Sequence, residues 1–308
     1  MSGNNLGPLG EAGVKGAFYE GLEIGDGWAM SAGVLIPSDS LVESHRWMGQ
    51  VPQLREHAGS TIAQAMRARG LSVTNKDYDA AMYLYRDDIR RDKTGQMLQK
   101  VGEFGEKLAD HWQKIGVEEL EGTTLGWDGV VLFSAAHVDG KGGTQSNIWT
   151  SSEIPALDVT TATAPTKAEC IDIMLGIATK FYGLLDDQGD PTNARARLFK
   201  IVAPEGLFPA FAGAAADALN ASGGTSELAN QRFRFEVEME PRLASGAVVF
   251  AYVADQRSKG LILQDEVSPE IELDYGEWVS KRRVLVKAYA SRRVAPGDWR
   301  KIGKATLS

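Results

Sequence analysis

The sequence predicts an α+β fold with a mostly antiparallel sheet. Two long helical patterns lie in the middle of the chain, and several strand-like segments follow them after residue 196. The apolar fraction, 43% of 308 residues, is enough to form a real core and too high for a disordered chain. This length corresponds to about two domains, or to one elaborated domain.

The first 90 residues lack clean periodicity. Residues 1–40 are rich in glycine with scattered apolar positions, which predicts an arm lying on another surface. Residues 60–86 favour β-structure through Val73 and several tyrosines. We therefore expect a long hairpin-like excursion there, with an exposed tip near Asn75 and Lys76.

The clearest element is a helix predicted over residues 94–120. Its apolar residues follow one another at intervals of three or four, which makes a single stripe along one helix face. They are Met97, Val101, Phe104, Leu108, Trp112 and Ile115. Such a helix would be ~40 Å long. Because its glycines weaken it, something large must pack along it.

The second half is more regular. A polar loop over 139–165 leads to a helix over 166–185, where Thr166 and Glu169 have the spacing of a capping box. Strands are predicted in the segments RLFKIVAP, RFRFEVEMEP, GAVVFAYVAD, GLILQD and EWVSKRRVLVKAYASRRV, and a helix in EGLFPAFAGAAADALN.

Composition excludes several classes of protein. No apolar run is long enough to cross a membrane, and the N-terminus lacks the features of a signal peptide. The single cysteine, Cys170, excludes an internal disulfide framework and is expected to be a small buried hydrophobe. These observations predict a cytosolic chain.

Charge is unevenly distributed within a net charge of −8. Residues 265–277 carry six acidic side chains, whereas residues 281–304 carry nine basic ones and a single acid. One interpretation is a strand with a polar face. Another is that acidic and basic faces of neighbouring copies meet in an assembly. Nucleic-acid binding is the weakest interpretation, because no stacking or basic-helix motif accompanies the charges.

The segment GWDGVVLFSAAHVDGKGG, residues 126–143, most resembles a chemical site. His137 and Asp139 lie in its glycine-rich loop, but the four histidines of the chain are scattered and no metal-binding spacing occurs. The glycines lack the pattern of a phosphate-binding loop. We therefore expect a structural histidine, and we predict no catalytic, metal-binding or cofactor-binding residue.

Four motifs in order resemble the Mu-like prophage major head subunit family. The first comprises Trp47, Gly49, Pro52, Leu54, Arg55 and Glu56. The second comprises Val73, Asn75, Lys76, Asp77 and Tyr78, and the third Asp88, Ile89 and Asp92. The last comprises Trp127, Asp128, Gly129, Phe133 and His137, with Asp128 and Gly129 forming a turn. Their order and spacing hold across residues 14–138, and the downstream layout agrees.

The resemblance implies the HK-type fold of tailed-phage major capsid proteins, with an N-terminal arm, an extended β-hairpin loop, a spine helix, and peripheral and axial domains. It implies five divisions of the chain: the arm at 1–40, the hairpin loop at 41–90, the peripheral domain at 91–158, the axial domain at 159–268, and C-terminal strands returning to the peripheral domain at 269–308. The helix at 94–120 would be the spine.

The implied function is that of a major capsid protein that self-assembles through hexamers and pentamers into an icosahedral shell around double-stranded DNA. The implied partners are further copies of the chain, scaffold, portal and decoration proteins, and DNA bound non-specifically, with no membrane. The implied location is the virion, after assembly in the host cytoplasm. Candidate assembly residues, from the motifs and the basic segment, are Trp47, Arg55, Glu56, Asn75, Lys76, Tyr78, Arg282, Arg283, Arg292 and Arg293.

Three alternatives remain open. An encapsulin-like nanocompartment shell would share the fold and add a pocket for docking cargo. An enzyme would need a concave site that gathers His137 with nearby carboxylates. A tail or baseplate protein would lack the spine helix.

Overall fold

A computed structural model of the chain describes residues 10–23, 27–47, 69–92, 94–216, 233–244 and 246–308. The α-helices of this part are α1 Glu11–Glu23, α2 Trp28–Ala32, α3 Arg86–Arg91, α4 Gln96–Ala109, α5 His111–Leu120, α6 Lys167–Gly183 and α7 Phe208–Ala216. The strands are β1 Gly33–Pro37, β2 Val42–Trp47, β3 Arg69–Thr74, β4 Lys76–Tyr85, β5 His137–Val138, β6 Thr144–Gln145, β7 Ile148–Trp149, β8 Leu198–Ala203, β9 Arg234–Met239, β10 Val248–Val253, β11 Leu261–Asp274, β12 Arg283–Pro296 and β13 Ile302–Thr306.

Two sheets organise these strands. A four-stranded sheet has the order β1-β11-β12-β4, and a five-stranded sheet has the order β7-β13-β10-β8-β9. Most neighbouring strands are antiparallel, while β1–β11, β7–β13 and β8–β9 are parallel. The predicted α+β class with a mostly antiparallel sheet is therefore confirmed.

The predicted long helix is a bent pair of helices. The backbone of Asp110 separates α4 from α5, with ψ at −9° where an ideal helix has about −42°. The apolar stripe continues across this bend, because Val101 of α4 and Trp112 and Ile115 of α5 are all buried. The expectation of one uninterrupted helix was wrong, since side-chain spacing does not report a change in a single backbone angle.

The described part of the N-terminal segment packs on its own chain. Helix α1 lies against α4, and Val14 and Phe18 are fully buried in a core with Val101, Val284 and Val286. The helices approach so closely that a Cβ atom on Gly105 would lie 2.2 Å from the carbonyl oxygen of Phe18. Residues 11–23 are thus a helix of the fold rather than an extended arm.

The hairpin differs from the prediction in its strand pairing. Strand β3 pairs with β2, whereas β4 pairs with β12 in the four-stranded sheet. Asn75 joins β3 to β4 and is only 4% exposed, so the tip expected at Asn75 and Lys76 is a buried junction at Asn75. The residues that connect β2 to β3 lie outside the described residues.

The second half of the chain follows its prediction closely. Thr166 caps α6, and the reciprocal bonds of the capping box with Glu169 are both present. Helices α6 and α7 cover the five-stranded sheet, and Cys170 of α6 is fully buried in this core, where burial raises the pKa of its thiol to about 12. The segment at 139–165, predicted as a loop, contains the short strands β6 and β7.

The C-terminal strands divide between the two sheets. Strands β11 and β12 belong to the four-stranded sheet, but β13 pairs with β10 and β7 in the five-stranded sheet. The expected division at residue 269 therefore does not follow sheet membership, because β11 begins at Leu261. A core around Trp28, Trp112 and Ile302 joins both sheets to α2 and α5. Within the described residues, no helix is both long and apolar enough to span a membrane.

Candidate functional site

The loop around His137 begins with a tight turn. Gly129 has a φ of 80°, in the left-handed region that glycine adopts without strain, and the amide of Gly126 donates to the carbonyl of Val130 at 2.7 Å. The turn places the Asp128 carboxylate directly beside His137. The expected turn at Asp128 and Gly129 is present.

His137 is buried and surrounded by partners. Its Nδ1 lies 2.6 Å from Oδ2 of Asp128, and its Nε2 lies 3.2 Å from Oδ1 of Asn147. The imidazole ring stacks on Trp299, with 4.3 Å between the ring centroids. The ring is 1% exposed, so neither nitrogen is available to a substrate or to a metal ion.

Asn147 is the centre of this network. Its side-chain nitrogen donates to the carbonyl of Leu132 at 2.8 Å and also faces the carbonyls of Trp299 and Ile302. Its Oδ1 accepts from the amide of Ser134 at 2.9 Å. Asn147 thus ties the His137 loop to β13. Nothing in the sequence distinguishes this asparagine from others in the polar loop, and its role was missed.

The chemistry of the loop is structural. No group of three or more His, Cys, Asp or Glu side chains within the described residues could hold a metal ion. Asp139, the other residue that the sequence singled out in this loop, is 2.6 Å from the guanidinium of the fully buried Arg300. His137 and Asp139 therefore both have partners inside the chain.

The acidic and basic segments meet within one chain. Strand β11 carries the acids and pairs antiparallel with the basic β12, which places Glu272 opposite Lys287. At the turn between these strands, Glu277 contacts both Lys281 and Arg283 at 2.5 Å. The interpretation that these two segments meet between copies is therefore replaced by an intrachain pairing, and the polar-faced strand is the better description.

The family of the chain follows from comparison with known proteins. The model of the Mu-like prophage major head subunit gpT family matches residues 10–166, half of the chain. The chain belongs to this family. The match covers α1, the strands β2 to β4, the His137 loop, and the bent pair of helices α4 and α5, which we call the spine pair.

Two curated relatives agree with this assignment. The chain is 27% identical over 132 residues to the major capsid protein of Escherichia phage Mu, covering 41% of this chain and 43% of the relative. It is 24% identical over 122 residues to the Mu-like prophage FluMu major head subunit of Haemophilus influenzae, covering 39% and 40%. The chain thus aligns with less than half the length of either relative.

Solved capsid structures share the fold. A virus-like particle from Pyrococcus furiosus superposes with a TM-score of 0.59 at 8% identity, covering 96% of this chain and 98% of that one. The mature capsid of bacteriophage PhiM1 gives a TM-score of 0.58 at 10% identity, covering 92% and 87%. The HK-type capsid fold is therefore confirmed. Because the head subunit family and this fold are structural, the enzyme alternative is excluded.

The head subunit's candidate assembly residues differ in accessibility. Asn75 is buried, and its amide nitrogen donates to Glu266 at 3.0 Å. Tyr78 is half-buried with its ring edge on His111, whereas Lys76 is exposed. Asn75 therefore cannot meet a neighbouring copy directly, because its own chain surrounds it.

The four candidate arginines also differ in their exposure and in their partners. Arg292 is 1% exposed beneath the sheet, so the expectation that it faces a neighbour is not supported. Arg283 lies over the ring of Tyr83, and Arg293 is 3.8 Å from Glu119. Arg282 is exposed at the turn and pairs with Asp87 at 2.8 Å. Trp47 ends β2, and Arg55 and Glu56 lie outside the described residues.

A buried carboxylate at the end of α5 is a second residue that sequence reasoning missed. Glu119 is 3% exposed, and it lines a cavity of about 200 Å³ with Lys76 and Arg293. Thr124 donates to its Oε2 at 2.9 Å, but Oε1 has no partner among the described residues. Burial is the main cause that raises the pKa of Glu119 to about 7. The sequence did indicate that Glu119 faces inward, because it lies four residues after Ile115, where the apolar stripe would continue.

We expect this carboxyl to make folding stability depend on pH. The pKa of Glu119 rises from 4.5 to about 7 on folding, so the folded chain holds a proton that the unfolded chain releases. Stability should therefore fall as pH increases through this window, by on the order of 3 kcal/mol. Glu119→Gln should abolish that fall in urea unfolding measured across the window. The exposed neighbour Glu118 supplies the control, and an equal effect of Glu118→Gln would contradict the assignment.

Proposed function

We propose that this chain is the major capsid protein of a Mu-like tailed phage or prophage. It self-assembles through hexamers and pentamers into an icosahedral shell that encloses double-stranded DNA. The observation that carries the proposal is the family match over residues 10–166, since that segment comprises α1, the hairpin strands and the bent spine pair. The likeness to solved capsid structures extends over the remaining half of the chain.

The partners proposed are further copies of this chain, scaffold and portal proteins, decoration proteins, and packaged DNA held without sequence preference. The chain would act in the virion after assembly in the host cytoplasm. A net charge of −8 supports weak contact with packaged DNA, since a strongly basic shell would bind phosphates and impede packaging. A basic lumenal face in an assembled shell would contradict this part of the proposal.

The two sheets suggest how the subunit is divided in a shell. We assign the four-stranded sheet with α1, α4 and α5 to the peripheral domain, and the five-stranded sheet with α6 and α7 to the axial domain. Lys76 and Arg282, which are exposed, remain candidates for contact with neighbouring copies. The β2–β3 hairpin, which includes residues of the first two family motifs, remains a third candidate.

The encapsulin-like shell is the alternative that shares this fold. Fold likeness cannot separate the two, because both are closed shells of one repeated subunit. The match to a head subunit family favours the phage shell. The contents of the particles distinguish them: nuclease-resistant DNA fits the proposal, whereas an encapsulated cargo protein fits the alternative.

Negative-stain electron microscopy of the purified chain, together with light scattering, tests the proposal. We expect uniform icosahedral shells or discrete pentamers and hexamers. A compact monomer or dimer that forms no higher assembly, even under crowding or in high salt, would contradict it.

A further inference from the structure

A groove lies where the spine pair bends over the four-stranded sheet. Its volume is about 340 Å³, and its lining is largely apolar, including Phe104 and Leu108 of α4. Lys107 and Lys114 line it from either side of the bend, and both are exposed. Neither lysine forms an ion pair with a carboxylate of the described residues.

Arg292 lies at the base of the groove without a proper partner. It is 1% exposed, its Nε makes no hydrogen bond to any residue that the structure describes, and the nearest carboxylate oxygen, on Asp265, is 3.9 Å away. Its guanidinium stacks over the ring of Trp112 at 4.6 Å. A buried cation is costly unless it is closely paired, and the long contact with Asp265 compensates only part of the charge of Arg292.

The neighbouring groups show that the groove is positive. Burial, together with the nearby charges of Arg292 and Lys114, lowers the pKa of His111 to about 4. Asp110 is already engaged by Arg242. Asp79 is the remaining carboxylate in the lining, set against Lys107 and Lys114 and against Arg292, whose ion pair with Asp265 is long at 3.9 Å. The groove therefore fits a ligand that carries carboxylates.

The chain presents such a surface on the opposite face of the same sheet. Glu270, Glu272 and Asp274 alternate with inward-facing residues along β11, and all three are exposed. Ile271, between the first two, is buried in the core on the α1 and α4 side. Lys287 stands opposite Glu272 and offsets part of the charge, which leaves an acidic row facing outward.

We propose that the groove of one copy receives the acidic row of a second copy of this chain, with the exposed Lys107 and Lys114 facing Glu270, Glu272 and Asp274, while the buried Arg292 adds positive charge beneath them. Because the two surfaces differ, the contact is heterologous, and such a contact forms a ring when its rotation closes. The inference rests on the proposed self-assembly and names one contact within it.

A charge swap tests this contact. Lys107→Glu with Lys114→Glu makes the groove acidic, and Glu270→Lys with Glu272→Lys makes the row basic. We expect each double variant alone to need about tenfold or more protein for half-maximal assembly, because like charges then face each other. An equimolar mixture should recover assembly into even-membered rings such as hexamers, since each reversed surface meets its complement when the two variants alternate. Analytical ultracentrifugation and mass photometry supply the readout.

Lys100→Glu with Lys141→Glu is the matched control. It changes net charge equally at exposed lysines outside the groove and should leave assembly unchanged. If the wild type assembles and the groove variant assembles equally well, this contact is wrong while the proposed function stands. A mixture that stays unassembled would also overturn the pairing. A wild-type chain that remains monomeric throughout contradicts both the contact and the proposed function.

Discussion

Replacing Gly105 with alanine should destabilise the chain by about 3 kcal/mol and loosen α1 from the spine. The new Cβ would lie 2.2 Å from the carbonyl oxygen of Phe18 and 3.0 Å from the amide nitrogen of Leu22. Both are backbone atoms of α1, so no side-chain rotation relieves the clash and the helices must separate. That separation would expose Val14 and Phe18 to water.

Gly102, one turn earlier in α4, is the matched control. Its Cβ would meet its nearest neighbour, the carbonyl oxygen of Ala17, at 3.5 Å, an ordinary contact. Gly102→Ala should therefore be neutral, or stabilise the chain by up to about 1 kcal/mol through helix propensity. Urea unfolding and limited proteolysis near residue 23 measure both variants. Equal stability of the two variants would contradict the close helix crossing.

Glycines also explain why the N-terminal segment was predicted as an extended arm and not as a helix. Glycine lowers helix propensity, so a glycine-rich segment with scattered apolar residues does not resemble a helix. The glycines of α1 and α4 instead permit a close approach between two helices. Gly21 shows this, because its Cβ would lie 2.1 Å from the carbonyl oxygen of Gly102. A single sequence shows the loss of propensity but not the neighbour that compensates for it.

The spine shows what periodicity can and cannot predict. The spacing of apolar residues identified the buried face of both α4 and α5 correctly. The bend at Asp110 arises from one backbone angle and from a tertiary ion pair with Arg242, neither of which leaves a mark on the spacing. Periodicity would also have identified Glu119 as an inward-facing carboxylate, had the stripe been followed one step further.

The charge pattern is described by the polar-faced strand, the first of the two interpretations from the sequence, rather than by a meeting of the two segments from different copies. Acidic β11 and basic β12 are consecutive along the chain and form adjacent antiparallel strands, so their charges are neighbours in one sheet. Several basic residues counted as surface charge are interior. Arg300 and Lys301 are 0% and 2% exposed, and Lys301 donates to Asn193 at 2.7 Å. Lys107 of α4 and Lys114 of α5, by contrast, are exposed.

Truncating His137 to alanine should cost about 3–5 kcal/mol of folding stability. The change leaves the Asp128 carboxylate, 2% exposed, without the ring that faces it at 2.6 Å. It also removes a partner of Asn147 and uncovers the stacked face of Trp299. Assembly yield should fall with stability, because the network joins the loop to β13. His111→Ala is the control: that ring is half-buried without a carboxylate partner, so its loss should cost about 1 kcal/mol.

A double-mutant cycle identifies the origin of the effect. If the cost comes from an uncompensated charge, Asp128→Asn should recover a large part of the loss in the His137→Ala background, with a coupling energy of about 2 kcal/mol. Additive costs would mean that His137 acts through packing on Trp299 alone. Elemental analysis of the purified wild type gives the sharpest contradiction: a stoichiometric metal lost with His137 would require a ligand role. The burial of both ring nitrogens against Asp128 and Asn147 argues against that role, because a metal ion would have to displace one of these partners from a closed interior.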